Sequence, residues 1–395
     1  KDIFCRYKTQ KGFQVKRKGG WDTHGLPIEL SVEKTLGIRK DDIGKTISIE
    51  DYNKACRKEV MKYKDVWDDL TKKMGYWVDL EHPYITFENS YIESCWHLLS
   101  RLYKKGLLYK GFTIQPYSPA AGTGLSSHEL NQPGTYKSVK DTTVVAMFPF
   151  KGDIGITDLP VYFLAWTTTP WTLPSNTALA VGAKINYVAV ESFNPYTGDR
   201  VVVILAKDLM GNFFSEKNAA LSMDEYKSGD KAIPFRIVKS FTGQELTGLR
   251  YEQLLPYAKP TDGDAFRVIA GDFVSTEDGT GIVHIAPSFG SDDFRVAKQN
   301  GIGSLTLVDR QGKFTEEVTD MAGEFVKEQY LTDDEKAVAK NKQGGEKYLT
   351  VDERIAIKLK KEGKAFKVEK YEHNYPHCWR TDKPVLYYPL DSWFI

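Results

Sequence analysis

Apolar residues in the middle of this chain come only in strand-sized packets, and no other feature limits its fold as much. Between about residues 138 and 310, the runs 142–147, 161–166, 187–190, 201–205 and 281–285 are β-branched or aromatic and are bounded by Gly, Pro, Asn or Asp. Their spacing is irregular and helical stretches are few. This suits a compact barrel or folded sheet better than repeating βαβ units. The flanks have another texture. Up to about residue 137 the pattern is helical: Ser48 and Asp51 form a capping arrangement ahead of Val60, Tyr63, Trp67, Leu70 and Met74, and Gly75 supplies a stop. A second helix is predicted over about 90–105, with Ile92, Trp96, Leu99 and Tyr103 on one face and Gly106 ending it. The large aromatics of these helices are predicted to be core. From about 323 the chain turns helical and charged again. Thr350 and Glu353 form a T-x-x-E box ahead of Ile355, Ile357 and Leu359, with Gly363 as stop. Residues 340–347 read as a flexible surface loop, and 371–395 are rich in aromatics. The whole reads as a β domain inserted between two pieces of something else.

Composition narrows the class. A chain of 395 residues, 41% hydrophobic and 27% charged, can bury a large core, so global disorder is excluded. No apolar run approaches the ~18 residues a membrane span needs. The 54 Lys+Arg against 53 Asp+Glu leave a net charge of +1, which argues against a histone-like binder. Residues 1–18 nevertheless carry Lys1, Arg6, Lys8, Lys11, Lys16, Arg17 and Lys18 against Asp2 alone, as a solvated face or one turned to a polyanion. Cys5, Cys56, Cys95 and Cys378 show no CxxC spacing, so reduced thiols in a cytoplasmic setting are expected, with no disulfide scaffold or zinc ribbon. No signal-peptide pattern is visible. The opening Lys1-Asp2-Ile3-Phe4 lacks a start Met and reads as mid-protein, so a fragment is expected.

Four segments stand out. Gly19-Gly20-Trp21-Asp22-Thr23-His24-Gly25-Leu26-Pro27-Ile28-Glu29 is either a tight strand-to-helix loop or a ligand loop. In the second, which runs from Ala165 to Asn176 and includes Thr167-Thr168-Thr169-Pro170-Trp171-Thr172, Pro170 removes a backbone donor and biases Thr169 toward extended geometry. The strand should therefore end there, leaving hydroxyls and freed backbone groups at its edge. The third runs from Gly279 to Phe294. Its glycines precede a strand, so it is no dinucleotide fingerprint. His284 sits on that apolar strand as a core or a catalytic histidine, and Asp292 and Asp293 are placed to cap a helix starting near Phe294. The fourth, Pro376-His377-Cys378-Trp379-Arg380 with Ser392-Trp393-Phe394, says only that the region is aromatic and structured.

Together and in this order these segments resemble the isoleucyl-tRNA synthetases, a branch of the class I aminoacyl-tRNA synthetases. The loop at 20–29 looks isoleucyl: the leucyl branch has Phe where His24 stands, and the valyl branch has a different, DHAG-type loop. Residues 167–172 do too, where leucyl and valyl relatives carry Thr-Thr-Arg-Pro, and 279–293 look like the second half of an editing pocket. The stretches 106–129 and 371–394 also match in order. The resemblance covers nearly the whole chain, more weakly over 207–260 and 310–365. The HIGH-type and KMSKS-type motifs are not in the chain, so it resembles a central section.

The resemblance implies an α/β fold: part of a class I Rossmann-like catalytic domain over 1–137, an inserted β-barrel-like editing domain over 138–370, and the returning chain over 371–395. The implied activity is hydrolysis of valyl-tRNA(Ile) by a positioned water, within an isoleucine–tRNA ligase whose full-length form uses ATP. Asp293 would hold the α-ammonium. His284 would line the side-chain pocket, and Thr167, Thr168 and Thr169 would hold the ester, ribose and water. Asn176 would brace the threonine strand or contact substrate. In the synthetic half Asp22 would bind the amino group of isoleucine, His24 and Glu29 would belong to the loop around it, and Trp393 would wall the amino-acid pocket. Some relatives carry a zinc knuckle with cysteines near 117–122 and Cys378. Residues 117–122 have none here, so no zinc is expected. Expected partners are the tRNA(Ile) acceptor end, isoleucine and valine, with no membrane, for a monomeric protein. Competing readings are a fragment that grips the tRNA acceptor end without catalysis, and a metallohydrolase using His284, Asp292 and Asp293.

Overall fold

A computed structural model of the chain describes residues 1–153, 155, 158–345 and 347–395. They form two compact units, Lys1–Gly111 with Ser392–Ile395, and Phe112–Asp391. The first unit contains α1 (Asp2–Gln10), β1 (Lys18–Trp21), α2 (Leu26–Leu36), α3 (Ile49–Val60), α4 (Lys64–Lys73), β2 (Asp79–Ile85) and α5 (Asn89–Lys104). β1 and β2 pair in parallel. The expected helix through residues 60–74 is in fact two. Ser48 caps α3, its hydroxyl accepting the Asp51 N–H at 3.0 Å, and the chain breaks over 61–63 before α4 starts. Gly75 and Gly106 take positive φ just past α4 and α5, where a left-handed residue lets a helix end.

The core expectation for these helices is overturned. Tyr63, Trp67, Leu70, Met74, Trp96, Leu99 and Tyr103 are all exposed, Trp96 by 69%. Periodicity identified their apolar faces correctly. Two short strands and five helices do not surround those faces, and only Val32 and Tyr52 are buried among the described apolar side chains of this unit.

The second unit holds a ten-stranded mixed sheet. Its strands are β5 (Tyr136–Lys151), β6 (Val161–Thr167), β7 (Ala178–Val181), β8 (Asn186–Phe193), β9 (Arg200–Ala206), β10 (Arg236–Thr242), β11 (Arg250–Tyr251), β12 (Arg267–Ala270), β13 (Ile282–Ile285) and β14 (Ala365–Pro376). β3 (Tyr109–Ser118), β4 (Thr123–Gly124) and β15 (Leu386–Phe394) lie outside it, as do the helices α6 (Ser127–Leu130), α7 (Gly243–Leu246), α8 (Ser291–Gln299), α9 (Asp333–Gln343) and α10 (Val351–Lys361). The five predicted strands are β5, β6, β8, β9 and β13. Alternation fills both faces of the sheet: Val144, Ala146, Phe148, Val202 and Ile204 enter one cluster, and Val145, Met147, Val201, Val203 and Leu205 enter the other.

The sheet does not close into a barrel among the described residues. Its path runs β10-β8-β9-β6-β5-β11-β12-β7-β13, with β14 added on β5, and β10 and β13 are ends. It folds instead: β13 packs against β6, and the Ala206 N–H donates to the Thr280 carbonyl at 2.8 Å. Thr350 and Glu353 cap α10 reciprocally, and Gly363 follows with positive φ. Residues 340–343, read as loop, are the last turn of α9, which stops at left-handed Gly344; residue 346 of that stretch lies outside the described residues. No described helix is long and apolar enough to cross a membrane.

Candidate functional site

A cavity of about 340 Å³ opens in the second unit, lined by Trp166, Thr167, Thr168, His284 and Asp293 together with Phe273, Ser275, Asp278 and residues 279–283. Two elements bring the two motif segments together. β6 ends at Thr167, and Pro170 opens a 3-10 turn over Pro170–Ser175 with Thr169 as its N-cap. The Thr169 N–H donates back to the Thr167 hydroxyl at 3.1 Å, so the strand terminates in a side-chain-closed turn that leaves Thr168 on the cavity wall.

On the opposite side, β13 carries His284, which is 8% exposed. Thr172 Oγ1 lies 2.9 Å from the Thr169 carbonyl and 3.1 Å from His284 Nε2. The hydroxyl has one proton and the carbonyl can only accept, so the hydroxyl donates to Thr169 and His284 donates from Nε2. That tautomer leaves Nδ1 as a bare acceptor, buried with no partner in the structure. Burial pushes His284 down to about 4, so the ring is neutral near pH 7.

Asp293 stands in the first turn of α8, whose N-cap is Gly290. The helix begins at Ser291, earlier than the sequence suggested. Instead of capping it, Asp293 accepts the Ala286 N–H at 2.9 Å. Burial pushes its carboxyl up to about 7, against that hydrogen bond and with the Asp292 charge adding to the rise. No Lys or Arg pairs with Asp293 among the described residues, while Asp292 is exposed and meets Arg295 at 3.2 Å.

The remaining expected residues lie elsewhere. Asn176 is 1% exposed and does not line the cavity. Its amide donates to the Ala178 carbonyl at 2.8 Å and its oxygen accepts the Tyr251 hydroxyl at 2.7 Å, so it braces the turn. In the first unit the loop between β1 and α2 holds Asp22 and His24 exposed, and Glu29 is half-buried in the first turn of α2, 3.8 Å from Lys40. Thr23 anchors that loop, its N–H donating to the Thr86 hydroxyl at 2.9 Å. Trp393 on β15 is 60% exposed.

Phe273, Ser275 and Asp278 line the cavity without having been singled out from sequence. Asp278 borders Gly279, and Gly279 and Gly281 both take positive φ. An added Cβ would meet Trp166 at 3.0 Å from Gly279 and Ala206 at 2.3 Å from Gly281. Both a left-handed turn and a close approach therefore require these two glycines.

Among the described residues, no group of three or more His, Cys, Asp or Glu side chains is placed to hold a metal ion. Cys378 is fully buried beside Ala121, Leu125, Leu130 and Val385. Burial pushes its thiol up, but hydrogen bonds with Thr381 and Ser118 and the amides of Arg380 and Thr381 outweigh this and hold it below the ordinary thiol range. One sulfur among hydroxyls and methyls is not a zinc donor set.

The profile of the family described as tRNA synthetases class I (I, L, M and V) matches residues 1–395. An isoleucine–tRNA ligase of Cytophaga hutchinsonii is 69% identical over the whole of this chain and 36% of its own length. One of Bacteroides fragilis is 59% identical over the same shares. The chain thus spans about a third of the length of the curated relatives it matches. Among solved structures, a cytosolic leucyl-tRNA synthetase editing domain of P. knowlesi covers 62% of this chain and 99% of itself at 14% identity. Its TM-score of 0.37 is too loose an overlap to bear on the fold. With a family match that runs from Lys1 to Ile395, the chain belongs to the class I tRNA synthetases.

Proposed function

We propose that the second unit hydrolyses the valyl ester of tRNA(Ile), and that the chain is the central section of an isoleucine–tRNA ligase. The observation that carries this is the Asp293 carboxylate. It lies half-buried beside the hydroxyls of Thr167 and Thr168 and the neutral His284 ring, raised toward 7 and with no cation of the described protein beside it. Such a group is stabilised by an incoming ammonium, and a substrate bearing one next to an ester suits the hydroxyls of Thr167 and Thr168.

The need for such a site is physical. One missing methylene is worth only ~1–3 kcal/mol in an apolar pocket, and the isoleucine–valine choice is itself the known instance of that limit. A second site admitting only the smaller side chain completes the discrimination. Asp293 holds the α-ammonium, neutral His284 limits the side-chain space, and the threonine turn orients the ester and the attacking water. No nucleophile–base pair is in place among the described residues, so direct attack by water is favoured over a covalent intermediate.

The assignment of 138–370 as the inserted editing domain, flanked by a partial Rossmann-like catalytic domain at 1–137 and its return at 371–395, belongs to this proposal. So do the role of Asp22, His24, Glu29 and Trp393 around isoleucine, the use of ATP by the full-length cytoplasmic enzyme, and its action as a monomer on tRNA(Ile). The test is valine release from preformed valyl-tRNA(Ile), with isoleucyl-tRNA(Ile) as control. Asp293→Ala should slow valine release ~100-fold or more, in keeping with the loss of one partner of a desolvated charge pair, while tRNA binding barely changes. Equal loss of both amino acids, or an Asp293→Ala rate equal to the unmodified one, would contradict the proposal.

A further inference from the structure

Behind the threonine turn lies a buried cluster of charges that never reaches the cavity. Lys327, 5% exposed, places its ammonium 2.9 Å from Asp141 Oδ2 and 3.7 Å from Asp352 Oδ2. The same ammonium sits 4.6 Å over the Tyr375 ring, and His373 faces Asp141 at 3.4 Å. Two carboxylates and one ammonium are an expensive filling for a core, and apolar residues of like volume commonly serve stability as well or better.

The geometry supplies another reason for them. Asp352 Oδ2 faces Lys327, while Oδ1 accepts the Trp171 N–H at 2.8 Å. Trp171 is the second residue of the 3-10 turn that Pro170 opens. Pro170 has no N–H, so that of Trp171 is the first donor at this end of the turn, and it lies too early to find an acceptor within it. The Trp171 ring packs on Phe289 at 5.1 Å between centroids. Phe289 in turn bonds back through its N–H to Ala286, whose own N–H holds Asp293. Trp171 therefore ties the threonine turn to the Asp293 loop, and one side-chain oxygen from α10 pins it.

We propose that Asp352, oriented by Lys327, is a positioning residue for hydrolysis: it fixes Trp171 and thereby the geometry at which Thr167, Thr168 and Asp293 face one another. This rests on the hydrolytic reading above. Asp352→Ala and Asp352→Asn both break the pairing with Lys327, but only Asn leaves an oxygen for the Trp171 N–H.

In the full chain, Asp352→Ala should lower kcat for valine release about tenfold or more, with KM for the charged tRNA within about twofold, since misplacing a reacting group by ~1 Å costs up to ~100-fold. Asp352→Asn should recover to within about threefold of the unmodified chain. Equal loss in the two variants, or no loss in Asp352→Ala, overturns the proposal. A second readout does not need the alanine variant to fold. In chain labelled with 15N-tryptophan, Asp352→Asn should shift the backbone amide resonance of Trp171, because a neutral acceptor replaces a charged one; an unchanged spectrum overturns the proposal. If the unmodified chain releases no valine, the hydrolytic reading falls and the catalytic role of Asp352 falls with it, while a shifted Trp171 resonance would still establish the bond itself.

Discussion

Asp293 titrates near 7 because burial outweighs its hydrogen bond from Ala286, so protons should govern both activity and stability here. The part of valine release that Asp293→Asn abolishes should rise with pH through about 7 and then level off, as a pH–rate profile of the two chains would show. Stability runs the other way. The folded-state value is raised above the ordinary 3.8, so ionisation is penalised only in the folded state. Stability is therefore highest below about 4 as far as this group is concerned, and declines as pH rises to about 7. Asp293→Asn should raise the thermal midpoint by ~2–4 °C at pH 8 for each ~1 kcal/mol relieved, and leave it unchanged at pH 4. A gain that is the same at both pH values would refute the titration argument. A related test keeps the carboxyl group but moves it. A Cβ on Gly290 would lie 2.8 Å from Asp293 Cγ, so Gly290→Ala should displace the carboxylate and slow valine release in a chain that still unfolds cooperatively.

Among the elements, β13 and the turn before it show what is exacting. Gly281→Ala sets a methyl 2.3 Å from the Ala206 Cβ at φ +72°, and should destabilise the unit by ~2–4 kcal/mol in a denaturant titration. Much of this architecture could be read in the sequence. β-branched runs between turn residues gave β5, β6, β8, β9 and β13, and Pro170 marked the end of β6 because proline removes a donor wherever it sits. Thr350 and Glu353 announced α10 through a local reciprocal cap. The rest depended on distance or context. The break between α3 and α4 at 61–63 carries neither Gly nor Pro. The end of α9 is charged and looks like loop. Barrel closure depends on whether β10 meets β13, which alternation along single strands does not specify. Phe273, Ser275 and Asp278 reach the cavity from irregular chain with no period to betray them. Asp352 and Trp171 are 181 residues apart, and no spacing rule links a buried carboxylate to one backbone N–H.

Over the whole chain, the two units differ in how well they cover themselves. The first leaves Tyr63, Trp67, Met74, Trp96 and Tyr103 more than half exposed, while the second buries apolar clusters on both faces of its sheet. Limited proteolysis of the isolated chain should therefore cut first within Lys1–Gly111 and leave Phe112–Asp391 largely intact, because local opening is easiest where few apolar contacts hold a segment. Early fragments that begin and end inside the sheet would contradict this. The second unit has a further property. β5 and β14 pair antiparallel from Tyr136 opposite Pro376 to Ala146 opposite Ala365. The polypeptide thus sets out on its long excursion and comes home through a single doorway, whose two posts are ~5 Å apart, little more than one peptide step. The threshold is not clear-cut, however: Tyr117, Leu386 and Tyr388, which lie outside the posts, share a core with Phe289 and Phe314 inside them, and the Tyr388 hydroxyl donates to the Val308 carbonyl at 3.0 Å, so a chain shortened between the posts should lose stability on both sides of them.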